Sequence, residues 1–206
     1  LLYRSPLFQI IGDEGNGYYG TAYAIYSMIL MIATYSIPTA VSKIISGKLA
    51  LGEYRNARRV FKCAFIYVVS AGLVAGILTF AFAPVLVKEQ PNAILSLQIL
   101  APTIFLSGFL AIYRGYLQAY KTMIPTSISQ IIEQIANAVV SVLAAYLMSR
   151  PFAPGTSEHA KYGAAGSAMG TGAGVLCGII YILIAYAGRR KEIMETVETD
   201  VSSNVE

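Results

Sequence analysis

Cys63–Val87 (CAFIYVVSAGLVAGILTFAFAPVLV) contains no Asp, Glu, Lys or Arg. A helix of this sequence has no charged side to turn toward water, and it exceeds the about 20 apolar residues needed to cross a hydrocarbon core. Comparable runs lie on either side of it. Gly15–Ser42, Gln90–Tyr113 and Tyr162–Gly188 lack the same four residue types, and Thr122–Ser149 holds one of them, Glu133. The runs place membrane spans at about 19–46, 63–87, 93–117, 124–148 and 163–187. The expected fold class is therefore all-α: a polytopic transmembrane helix bundle of about five complete helices. Leu1–Ile11 reads as the end of a truncated first helix, which would bring this lobe to six.

Composition agrees. Hydrophobic residues make up 56% and charged residues 13% of the chain, and mean hydropathy is +0.60. A soluble domain carries about 25% charged residues. The runs are too long and too uniform for the alternating strands of a membrane β-barrel.

Charge placement orients the bundle. Of the 15 Lys and Arg, only Arg4, Lys88, Arg150 and Lys161 fall on one face, and the rest, led by the connector Gly47–Lys62 (GKLALGEYRNARRVFK), fall on the other. The richer face is expected in the cytoplasm. Asp13–Tyr18, Lys88–Asn92 and Ser149–Tyr162 are then extracytoplasmic. Because the basic connector sits between two spans, topology accounts for it without a nucleic-acid partner. Residues 1–188 read as a transmembrane lobe and 189–206, polar and acidic toward its end, as a cytoplasmic linker or tail.

No catalytic constellation or phosphate-binding loop is present, so an enzyme is not expected. Cys63 and Cys177 fall inside spans, and His159 has no second His or Cys near it in sequence, so no metal site is expected either. Ile37–Ile45 (IPTAVSKII) and Ile124–Ile132 (IPTSISQII) are similar enough to suggest an inverted repeat, and Pro38 and Pro125 are expected to perturb or begin helices near the cytoplasmic side. Gly166, Gly170 and Gly174 give the small-xxx-small spacing of a close helix contact or a sliding one.

The most informative residue is Glu133. An ionised carboxylate in mid-span costs on the order of 3 kcal/mol or more, so it needs a compensating group or a function. Ser127, Gln130, Glu133, Gln134, Asn137 and Ser141 recur at helical spacing and form a polar stripe that faces protein or water. Gln130, Glu133, Gln134 and Asn137 are the candidate cavity or coupling residues, sensitive to protons, sodium or the membrane potential. Arg4, Lys43 and Arg114 are the candidate partners of Glu133 or of an anionic substrate. Arg114 and Lys43 lie near span ends, where they have the option of snorkelling to the interface.

Ile11–Tyr18 (IGDEGNGY), Ile37–Lys43 (IPTAVSK), Ala50–Arg59 (ALGEYRNARR), Tyr113–Gln118 (YRGYLQ) and Pro125–Gln134 (PTSISQIIEQ) together resemble the polysaccharide-biosynthesis branch of the MOP flippase superfamily, above all its sporulation and lipid II flippase members. The resemblance implies two helical bundles around a central cavity open alternately to each side of the bacterial cytoplasmic membrane, with this chain as the first bundle and the second missing. It implies an undecaprenyl-diphosphate-linked saccharide or peptidoglycan precursor (lipid II) as cargo, membrane lipid and the second lobe as partners, and no cofactor. By position, Arg4 resembles a cavity arginine of the first helix, and Lys43 lies where lipid II flippases carry adjacent arginines, although Ser42 departs from that pattern. The rival expectations are a multidrug or cation antiporter of the same superfamily and a non-transporting scaffold for envelope or spore-wall assembly.

Overall fold

A computed structural model describes residues 4–32, 36–120 and 123–198, with side chains at 7–32, 39–120 and 123–189. Among these residues the chain is helical without strands. The order is α1 (Arg4–Leu30), α2 (Ser36–Ala50), α3 (Tyr54–Leu86), a 3₁₀ turn (Pro91–Ala93), α4 (Ile94–Ala119), α5 (Ile124–Ser149) and α6 (Ser157–Glu198). Together with the apolar composition this is a multi-pass membrane bundle.

Among the described residues, four helices are each long and apolar enough to cross a membrane: α3, α4 with its leading turn, α5, and α6 as far as Arg189. The fifth expected span, 19–46, is not one helix. It is divided between α1 and α2, with residues 33–35 outside the described set. The charge-free run Gly15–Ser42 is longer than one crossing requires, and Pro38, three residues into α2, suits a helix start and not an interior. Pro125 likewise stands at the start of α5. Residues 1–3, the beginning of the expected first helix, lie outside the described set.

The expected boundary after Ile11 is a sharp break at Gly12, where φ is 69° and ψ is −175°. Only glycine adopts this conformation at ordinary cost. The loop expected at Asp13–Tyr18 is helical instead. One residue suffices to redirect the chain, and Asp13 and Glu14 then occupy the first turn of the new helical segment, where carboxylates favour the helix dipole. A Cβ at Gly12 would meet no atom within 4 Å, so Gly12→Ala isolates the backbone cost. It is expected to lower stability by about 1–3 kcal/mol, read as a lower melting midpoint in detergent.

The connectors sort to two ends as the charges do. At one end Ile45, Ala57, Tyr116 and Ala119 share a buried cluster against which Tyr186 packs. At the other, Asn92 Nδ2 donates to the Tyr18 hydroxyl at 3.2 Å and Thr21 Oγ1 to Gln90 Oε1 at 2.8 Å. α5 and α6 form the closest pair of helices, and α6 also packs on α4 and α1, so it is the central element. Helices in lipid gain little from excluding water between them, so close packing and hydrogen bonds must hold this pair. α6 continues as helix through Glu198; residues 199–206 of the expected tail lie outside the described set.

Candidate functional site

A cavity of about 370 Å³ opens between α1, α2, α4, α5 and α6, and Tyr26, Ser107, Arg114, Glu133, Gln134 and Asn137 are on its wall. At its centre Arg114 Nη2 donates to Glu133 Oε2 at 2.7 Å. The two side chains are 15% and 22% exposed, so the pair is largely shielded. Arg114 also donates to Ser129 Oγ, from Nε at 3.2 Å and from Nη2 at 2.8 Å. The Ser129 hydroxyl in turn donates to the Gly178 carbonyl at 3.3 Å. A guanidinium of α4 is thus tied to a carboxylate and a hydroxyl of α5, and through the hydroxyl to the backbone of α6.

This geometry answers the cost of Glu133. A lone charge in a low-dielectric bundle is strongly unfavourable, whereas a charge-assisted hydrogen bond to a guanidinium compensates it. Arg114 turns inward and does not snorkel. At 1.5 Å rise per residue it lies about 8 Å from the Ala119 end of α4, and Glu133 about 14 Å from the Ile124 start of α5. The pair is therefore within membrane depth, nearer the end that carries the basic connector.

The rest of the stripe divides. Gln130 and Gln134 are exposed on the cavity wall, and Asn137 is half-buried beside them. Ser141 is buried, with Oγ 2.9 Å from Asn137 Oδ1 and 3.1 Å from the Ser167 carbonyl. One hydroxyl proton cannot serve both acceptors; with the Asn137 amide turned so that its NH₂ donates to Ser141, both contacts are satisfied. Ser127 bonds back to the Met123 carbonyl and belongs to the helix surface.

Two wall residues, and Ser129 that accepts from Arg114, were not singled out in the sequence. Tyr26 shares a hydrogen bond with Ser107 at 3.1 Å. Thr126 is 5% exposed, and its Oγ1 has no hydrogen-bond partner among the described residues. Ser129 stands one turn before Glu133, the only sequence signal that would have suggested it.

The structure does not bring all the expected cations together. Lys43 is exposed on α2 and is not on the cavity wall. Arg4 is the first residue of α1, and its side chain lies outside the described set. The described wall therefore carries one cation and one anion. No group of three His, Cys, Asp or Glu suited to a metal ion occurs among the described residues.

Comparison with known proteins matches residues 1–201 to the family described as polysaccharide biosynthesis protein. The chain is 23% identical over 202 residues to the lipid II flippase MurJ of Bacillus subtilis (strain 168), covering 93% of this chain and 36% of that protein. It is also 23% identical over 203 residues to stage V sporulation protein B of the same organism, covering 95% of this chain and 38% of that one. A third relative, the uncharacterized membrane protein YabM of that organism, is 26% identical over 143 residues, 68% of this chain and 26% of its own length. The chain spans little more than a third of the first two relatives. No solved structure matches. A family match running over nearly the whole chain, on a multi-pass helical bundle with a polar cavity, has one reading: this chain belongs to the polysaccharide biosynthesis protein family.

Proposed function

We propose that the chain is the amino-terminal lobe of a flippase that carries an undecaprenyl-diphosphate-linked saccharide, such as lipid II, across the bacterial cytoplasmic membrane by alternating access. The observation that carries this reading is the polar cavity at membrane depth, with its Arg114–Glu133 pair and flanking amides. A second lobe of the same protein supplies the facing wall, and the basic ends of the bundle face the cytoplasm. The similarity to a lipid II flippase and membership of the polysaccharide biosynthesis protein family support the class of cargo.

A scaffold has no use for such a cavity, and a cation exporter favours an acidic one, whereas the charges on this wall balance. Arg4 is the candidate contact for the diphosphate. Glu133 is the group through which protons, sodium or the membrane potential act on the conformational balance, without a cofactor.

The test is lipid II exposure in the outer leaflet of proteoliposomes holding the full-length protein. Arg4→Ala is expected to abolish exposure at an unchanged membrane level of the protein, because a diphosphate in a low-dielectric passage needs a compensating charge. Exposure equal to wild type would refute the role given to Arg4.

A further inference from the structure

We infer that the Arg114–Glu133 cavity is a subsite for the saccharide of the lipid-linked cargo and not for its diphosphate. The inference rests on the flippase reading above and assigns this part of the path a ligand.

Charge is the first argument. The one described cation on the wall is matched by a carboxylate at 2.7 Å, and its Nε and Nη2 donors are already engaged by Ser129 and Glu133. A diphosphate entering here would have to displace Glu133 from Arg114 and then lie beside that carboxylate, an unfavourable like-charge arrangement in a low dielectric.

The chemistry of the remaining wall is the second. Gln130, Gln134 and Asn137 present amides, each offering both donors and an acceptor. Sugar hydroxyls and acetamido groups are donors and acceptors at once, so neutral amides match them where a cation would not. Thr126 adds a buried hydroxyl on the same wall whose Oγ1 lacks a partner among the described residues. A buried polar atom left in that state is costly and points to a ligand that satisfies it. The rings of Tyr23 and Tyr26, with centroids 5.7 Å apart, give the cavity an apolar side against which the C–H face of a sugar ring packs. The volume of about 370 Å³ is at the small end of ligand pockets, which run from about 300 to 1,000 Å³.

The test compares two probes on the full-length protein in nanodiscs: undecaprenyl diphosphate, and undecaprenyl diphosphate bearing N-acetylglucosamine but no peptide. Wild type is expected to bind the glycosylated lipid about tenfold more tightly, the worth of one or two net hydrogen bonds. Gln130→Ala with Gln134→Ala, both at exposed positions, is expected to erase that preference while changing affinity for the bare diphosphate by less than about twofold. Glu133→Gln keeps a hydrogen-bonding partner for Arg114 but unmasks its charge, and is expected to tighten binding of the bare diphosphate about fivefold. Parallel weakening of both lipids in the double variant, equal binding of both by wild type, or no tightening in Glu133→Gln would each overturn the saccharide assignment and leave the flippase reading standing. A wild-type protein that bound neither lipid would remove the flippase reading and this inference with it.

Discussion

Gly170→Leu is expected to leave little folded protein in the membrane. A Cβ at position 170 would come within 2.5 Å of the Ser141 nitrogen and 2.7 Å of the Ser141 Cα, and closer still to Ser141 Oγ. Two of those atoms are backbone or fixed to it, so no rotamer change relieves the overlap. The neighbouring turns repeat the arrangement, Gly166 against Ala144 and Gly174 at 2.6 Å from the Glu133 carbonyl. Separating α5 from α6 removes the tightest packing in a bundle that has little water-driven association to fall back on. Overpacking a core costs about 1–3 kcal/mol, and a leucine against backbone belongs at or above the upper end of that range. The check is the amount of full-length protein in the membrane and its melting midpoint in detergent. Gly20→Leu serves as control, since a Cβ at Gly20 has no neighbour within 4 Å. Wild-type abundance and melting for Gly170→Leu would mean that α5 and α6 do not meet along this stripe.

Glu133→Leu is expected to cost about 3 kcal/mol, because it leaves the Arg114 guanidinium shielded from water with no counter-charge. Replacing both partners with apolar residues of similar size, Arg114→Met with Glu133→Leu, is expected to restore most of that loss, since no unpaired charge then remains. The double-mutant cycle measured by thermal melting isolates the coupling. Additive losses would show that the two side chains are stabilised independently. The cycle also separates structure from transport. The double variant is expected to accumulate near wild-type levels, and its transport then reports what the pair contributes beyond holding α4 to α5.

Much of this was legible because lipid imposes a simple rule on sequence. The uncharged run Cys63–Val87 had to become one membrane-spanning helix, and α3 contains nearly all of it. Glu133 stood out for the opposite reason, as the single charge in its run. Arg114 and Glu133 were both named, yet nothing local joins them. Their meeting depends on how α4 and α5 are rotated relative to each other, which is set by tertiary packing on α6. Gly12 illustrates another limit. The boundary after Ile11 was readable, but Asp13–Tyr18 was assigned to a connector outside the membrane, whereas one residue of unusual backbone followed by two carboxylates begins a helix. The break between α1 and α2 was hidden by uniform apolarity, which records the medium and not the continuity of the helix. Lys43 was expected near the substrate path because of its place in a motif, but its exposure on α2 follows from helix rotation that the motif does not encode.

The central claim is that the face of α5 bearing Gln134 lines a water-accessible path for a lipid-linked cargo. It is tested most directly by thiol labelling of the full-length protein after its native cysteines, Cys63 and Cys177 among them, are replaced. Gln134→Cys is expected to react with a membrane-impermeant maleimide and to be protected by lipid II. Ile135→Cys, on the exposed apolar side of the same helix, should react only with a lipid-soluble reagent. Failure of Gln134→Cys to react with the impermeant reagent from either side of the membrane, or labelling indifferent to lipid II, would contradict the account.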